Sequence, residues 1–322
     1  MLNNRKDEKM SFSYSVKEEL EKHTSNNRHC QIAELAALIH YQGNLKRSKT
    51  GILQLEISTE NLFVLRKVFT LLNKTFNIKT SDYEKSCFTM KKSSVYSFSI
   101  EDEKEILEIF QTIKLLDGSG VLHDLRDRIN PVILKQSCCQ RAFLRGAFLS
   151  IGSMSDPSKG YHLEMVCNHR IQAEQIREVL QIFELDGKIV ERKNHQVVYL
   201  KEGSNIVDFL NICEAHVALM EFENFRIVKE MRNSINRRVN CETANIAKTV
   251  TAASKQIEDI IFIRDFIGLS KIPDNLREMA EVRLEHPEAT LKELGNYLDP
   301  PVGKSGVNHR LRKLSEIADL NR

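Results

Sequence analysis

The sequence predicts an α+β fold in which an αββαββα unit occurs twice and is followed by an all-helical C-terminal segment. Three observations predict it. Two apolar helical runs, 30–42 and 139–151, each stop at a glycine, Gly43 and Gly152. After each glycine the chain alternates as a strand and then resumes helical spacing, so that the Leu55-led LEI of the first half stands where the Leu163-led LEM stands in the second. From residue 257 onward the apolar spacing is helical throughout.

In chain order, residues 15–20 open a short helix and 30–42 form the first apolar helix. Residues 52–57 alternate as a strand, and Thr59 is expected to cap a helix through residue 76 with Leu62, Leu65, Phe69 and Leu72 on one face. Strands at about 79–92 and 94–100 and a helix at about 102–115 complete the first repeat, spanning about 11–117. The second repeat, about 138–215, runs helix 139–151, strand 161–166, helix 173–183, strands 188–193 and 196–201, and helix 204–213. The two halves are expected to pack through the helices that precede Gly43 and Gly152, leaving one concave antiparallel sheet. A helix over 216–239 carries Arg226, Lys229, Arg232, Arg237 and Arg238. Residues 240–256 lack the large apolar side chains of a core and read as a linker or a loosely attached helix, so 216–256 is set apart as a basic helix and linker. Helices at 257–267 and 276–284 lead into the end of the chain, and 257–322 reads as one domain.

Composition excludes several classes. The chain has 322 residues, 41% hydrophobic and 28% charged, with a formal net charge of +3. That is ordinary for a soluble protein of two domains, and the charge alone does not imply nucleic acid. Residues 1–10 are polar, lack a secretory pattern and read as a disordered extension, with Met10 an alternative start. No apolar run reaches the length of a membrane span. The seven cysteines include no C-x-x-C, so no metal site is expected from spacing, and reduced thiols in a cytoplasm are the expectation.

The segment 287–314, PEATLKELGNYLDPPVGKSGVNHRLRKL, concentrates the chemistry. Leu291 and Leu294 mark a short helix that Gly295 is expected to end in a left-handed conformation, and Pro300 and Pro301 forbid helix across the turn. Val307, Leu311 and Leu314 form one buried stripe of a second helix. The other faces carry Lys304, Ser305, Asn308, His309, Arg310, Arg312 and Lys313, with no acid between Gly303 and Leu314. This is the layout of a helix-turn-helix whose second helix enters the major groove of double-stranded DNA. Ser305, Asn308, His309 and Arg312 would face the bases; Lys304, Arg310 and Lys313 would meet phosphates, with Arg310 at the edge of the stripe. Gly306 suggests close approach of another backbone, a phosphate strand among the candidates. A solvated charged hairpin is the alternative reading of the same residues.

Aligned on the glycines, 35–43 (LAALIHYQG) and 144–152 (LRGAFLSIG) resemble the paired helices of the LAGLIDADG homing-endonuclease fold, with small residues Ala37, Gly146 and Ala147 allowing close approach. In those nucleases each helix delivers a metal-binding carboxylate just before its final glycine. Here the positions hold Gln42 and Ile151, so residues 11–215 are expected to be a degenerate domain with no catalytic residue, no metal and no cofactor. Lys46, Arg47 and Lys49, expected in a turn, with Lys91, Lys92, Arg192 and Lys193, admit phosphate contact by the sheet or ordinary surface charge, and a protein partner is the other use for that sheet.

Such a domain joined to a C-terminal helix-turn-helix is similar to the WhiA family. The words that carry the resemblance are RGAFL at 145–149, Gly152 with Ser153, YLKE at 199–202, RNS at 232–234, NCETAN at 240–245 and KSGVNHRLRKL at 304–314. Gly303 departs from the family, which often places Ser there; Ser305 is then a candidate cap for the second helix. The resemblance implies a DNA-binding regulator linked to cell division, chromosome segregation and, in some relatives, sporulation, cytoplasmic and associated with the nucleoid. A division-linked protein scaffold with auxiliary DNA binding is the alternative. An active nuclease would need the carboxylates that Gln42 and Ile151 do not provide.

Overall fold

Residues 11–47, 53–79 and 95–322 are described in the structure, a computed structural model. The chain divides into two units, Met1–Lys229 and Glu230–Arg322.

Unit 1 begins with α1 (Phe12–Lys22), capped by the Ser11 side chain, and α2 (Arg28–Gln42). The chain passes at Gly43 directly into β1 (Gly43–Arg47), then β2 (Leu53–Thr59), α3 (Leu62–Phe76), β3 (Tyr96–Ile100) and α4 (Glu103–Thr112). The second repeat follows the same plan: α5 (Ser137–Ile151), β4 (Gly152–Met154), β5 (Leu163–Cys167), α6 (Arg170–Ile182), β6 (Lys188–Arg192), β7 (His195–Leu200) and α7 (Gly203–Ile212). The register repeats as well: Leu45 faces Leu55 in the first half, as Met154 faces Leu163 in the second.

Several expectations need correction. Lys46 and Arg47 lie on a strand, β1, not in a turn. Thr59 ends β2 and accepts from the Asn61 N–H, while the Asn61 side chain caps α3 by accepting from Phe63. Among the described residues the strands form two antiparallel sheets, ordered β1-β2-β3 and β4-β5-β7-β6, rather than one. Of the two readings of residues 240–256, linker or loosely attached helix, the structure has the second: α8 runs unbroken over His216–Phe262, almost fully exposed through that stretch. Helix propensity and solvated charges sustain it where packing does not. The strand expected at about 79–92 falls almost wholly outside the described residues, as do residues 1–10, Lys49, Lys91 and Lys92.

The core of unit 1 lies along the α2–α5 pair, whose Leu35, Leu38, Phe143 and Phe148 have no exposed surface. Each such side chain contributes about 1.5–3 kcal/mol of burial. A Cβ on Gly146 would stand 2.7 Å from the Glu34 carbonyl oxygen, so glycine there sets how near the helices come. At the helix ends, a Cβ on Gly43 or Gly152 would collide with the carbonyl of Ile39 or Phe148. Both glycines have ordinary extended φ; what they supply is room for a helix to become a strand within one residue.

His40, on α2, is buried, with Nδ1–H donating to the Ala36 carbonyl at 2.9 Å. Burial holds its imidazole down to about 4, against opposing help from the Ala36 carbonyl and the Asp127 charge. From the ordinary value of 6.5 down to about 4, the unfolded chain takes up a proton that the folded one refuses. Stability present above pH 6.5 is therefore lost as pH falls through this window, by about 2.5 kcal/mol at pH 4.5 from this group. Urea unfolding at pH 7 and pH 4.5 should show that much less pH dependence in His40→Gln than in the parent; equal dependence would remove His40 as the cause.

Among the described residues, no helix is long and apolar enough to cross a membrane.

Candidate nucleic-acid interface

Unit 2 contains α9 (Asp274–Glu285), α10 (Leu291–Asn296) and α11 (Lys304–Asn321). Thr290 and Glu293 form a reciprocal capping box at the start of α10, satisfying donors at both ends of its first turn. Leu294 of α10 and Val307, Leu311 and Leu314 of α11 are all buried, as the apolar stripe predicts. Around them pack Met279 and Ala280 of α9.

The turn between α10 and α11 is set by backbone contact. The Val302 N–H donates to the Gly295 carbonyl at 2.9 Å. Gly295 lies inside α10 and does not end it in a left-handed conformation; Tyr297 closes the helix in the right-handed region. Glycine is needed at 295 because a Cβ would collide with the Val302 carbonyl oxygen. Gly306 also serves the turn: a Cβ there would stand 2.5 Å from Val302 Cγ1, a side chain of the same unit. The α11 N-cap is Gly303, without a side-chain hydrogen bond, and Ser305 lies within the helix.

Lys304, Ser305, Asn308, His309, Arg312 and Lys313 are all exposed, so one helix presents six of the seven expected contact residues to solvent. Arg310 differs. Its side chain is 21% exposed and its guanidinium lies 3.6 Å from Glu278 of α9. Glu278 also accepts from the Asp299 N–H at 3.0 Å, so one carboxylate holds both the turn and α11. Arg312 pairs with Glu316, one helical turn on, at 3.0 Å. That pair is exposed and weakly held, so the guanidinium can exchange partners. Sequence reasoning missed Tyr297, half exposed on the turn and stacked on His286 at 4.1 Å between ring centres. An aromatic beside two prolines was its only signal.

In unit 1, Gln42 and Ile151 both make structural contacts. Gln42 donates to the Ser150 carbonyl at 2.9 Å, tying the C-terminal end of α2 to α5. Ile151 packs against the core. Lys46 pairs with Glu56 at 2.5 Å, and Arg192 lies 3.7 Å from Glu164, so the described sheet cations are partly neutralised. Lys193 sits at the tip of the β6–β7 hairpin, with φ 48°.

Linear spacing also missed a cluster. The ligand atoms of His29, Cys30, Cys138 and Cys139 all lie within 4.8 Å of one another. No C-x-x-C was needed, because two helices each supply an adjacent pair. Burial pushes the Cys139 thiol up to about 12 and raises that of Cys30.

The fold and these sites define a class: a duplicated LAGLIDADG-like domain followed by a helix-turn-helix domain. Family models agree, matching a WhiA N-terminal LAGLIDADG-like domain at 28–116, a WhiA LAGLIDADG-like domain at 140–232 and a WhiA C-terminal HTH domain at 235–318. A protein of Lachnoclostridium phytofermentans named probable cell division protein WhiA is 51% identical over 96% of this chain and 99% of its own. One of the same name from Alkaliphilus oremlandii is 48% identical over 96% and 97%. Full-length WhiA from Thermatoga maritima, a crystal structure, aligns over 96% of this chain and 98% of its own with a TM-score of 0.56 and 26% identity. The chain belongs to the WhiA family.

Proposed function

We propose that this protein is a DNA-binding regulator tied to cell division, and that α11 is its reading helix. The observation that carries the reading is the outer face of α11, where Lys304, Ser305, Asn308, His309, Arg312 and Lys313 are exposed opposite a fully buried stripe. Arg312 suits the acceptor pair of guanine and Asn308 the donor–acceptor edge of adenine. Ser305 and His309 complete the base-facing set. Lys304 and Lys313 set register on phosphates. Arg310, engaged by Glu278, positions the helix instead of touching DNA. The relatives' name, probable cell division protein, supports the cellular side of the reading.

The duplicated domain is proposed to be non-catalytic. Gln42 and Ile151 offer no carboxylate at the ends of the paired helices, and a hard cation gives up its water only for anionic oxygen.

Fluorescence anisotropy on genomic duplex DNA tests both statements, as a salt series with Mg²⁺ present and the DNA run on a gel afterwards. Intact DNA and a steep log–log salt slope are expected. Arg312→Ala should weaken specific binding by roughly 5- to 150-fold, the range for one bidentate base contact. Lys313→Ala should mainly reduce the salt slope, by about one. Binding indifferent to Arg312→Ala would refute the reading-helix assignment, and cut DNA would refute the second statement.

A further inference from the structure

We infer that His29, Cys30, Cys138 and Cys139 form a mononuclear zinc site that staples the two halves of the duplicated domain together. His29 and Cys30 are the second and third residues of α2; Cys138 and Cys139 hold the same places on α5. Aligned on Gly43 and Gly152, the two pairs are equivalent positions of the duplication. Pairing of the helices brings their N-terminal ends together and converges two donor pairs that lie more than a hundred residues apart along the chain.

The geometry suits one ion. His29 Nδ1 lies 3.2 Å from Cys139 Sγ, 3.3 Å from Cys30 Sγ and 3.9 Å from Cys138 Sγ. Sulfur ligands about 2.3 Å from a tetrahedral ion stand ~3.8 Å apart. The donors, none more than 4.8 Å from another, need close by only a fraction of that separation. The same spacing is too tight for an iron–sulfur cluster, whose cysteines surround several metal atoms.

The donor set selects the metal. Three thiols and one imidazole, with no carboxylate, match the Cys3His set of structural zinc and disfavour calcium or magnesium. Burial raises the thiols of Cys30 and Cys139, so a metal that binds there must displace their protons. Cys30 and Cys139 are buried, whereas His29 is exposed and Cys138 half-buried, so the site has a dry floor and an open side through which an ion enters. Gln42 ties α2 to α5 at their C-terminal ends, and zinc would tie them at the other.

The test uses the full chain, purified reduced and without chelator, with zinc counted by mass spectrometry of the elements and then exchanged for Co²⁺. About one zinc per chain is expected, with Co²⁺ giving an intense thiolate charge-transfer band and the visible bands of tetrahedral coordination. His29→Ala and Cys138→Ser, at the accessible side and least disruptive to packing, should each weaken or abolish the cobalt spectrum, while Cys241→Ser, exposed on α8, should leave it unchanged. A reduced, folded chain that takes up no Co²⁺ overturns the proposal. So does a cobalt spectrum indifferent to both variants. A disulfide within the cluster, with no Co²⁺ binding after reduction, would make the site a redox pair and overturn it equally.

Discussion

Replacing Glu34 by alanine is expected to cost unit 1 about 3–5 kcal/mol, the range for removing one partner from a buried ion pair. Glu34 on α2 has no exposed surface, and its Oε1 lies 3.1 Å from Lys67 Nζ on α3 and 3.1 Å from Arg145 Nε on α5. Arg145 reaches on to Glu214 at 2.8 Å. Lys67 also donates to the carbonyls of Leu20 and His23. One carboxylate thus compensates two buried cations from different parts of the chain, and without it both remain in a low-dielectric interior.

Glu34→Gln separates charge from shape, since the amide fills the same space. Burial already lowers the Lys67 ammonium, and the Glu34 charge is the main influence opposing that shift. Removing the charge lowers it further. The unfolded chain then binds a proton over a wider window below the ordinary lysine value than the folded one does, so the variant's stability rises with pH there. Denaturant unfolding from pH 7 to pH 10 should show the gap between parent and Glu34→Gln narrowing as pH rises. A gap that is constant or widens would mean that Lys67 does not carry the uncompensated charge. Glu214→Gln, at a partly exposed site, should cost less.

What the sequence disclosed depended on whether a feature was local. The α2 and α5 helices and their terminal glycines were legible because apolar periodicity and a helix stop lie within one short window. So was the buried stripe of α11, whose members repeat at helical spacing. Strand β1 was not: Gly43–Arg47 holds one large apolar residue and two cations, and it is a strand because β2 pairs with it. The sequence left 240–256 open between linker and loosely attached helix, because those residues lack a buried face. Glu34, Lys67 and Arg145 meet, as do His29 and Cys139, only where separate helices pack, which no local window of sequence shows. Arg310 was legible only as an edge residue; its partner Glu278 lies on another helix.

Gly295→Ala is the substitution expected to do most harm to unit 2. The new Cβ would collide with the Val302 carbonyl oxygen, and a backbone atom cannot swing aside as a side chain does. The Val302 N–H bonds the Gly295 carbonyl at 2.9 Å, so relieving the clash also strains the contact that sets the turn. A cost of about 2–4 kcal/mol is expected from overpacking at such a site. It should appear as loss of amide protection in 274–318 while the α2–α5 core of unit 1 keeps its protection. Because the turn places the first residues of α11, DNA binding should fall with it, although Gly295 offers no side chain to DNA. Gly303→Ser is the control: the position has open space and extended N-cap geometry, and a hydroxyl there should stabilise α11 by a few tenths of a kcal/mol. Gly295→Ala with parental protection would show that the turn opens freely. Lost protection with DNA binding retained would separate the turn from the reading helix and move the DNA contact elsewhere in the protein.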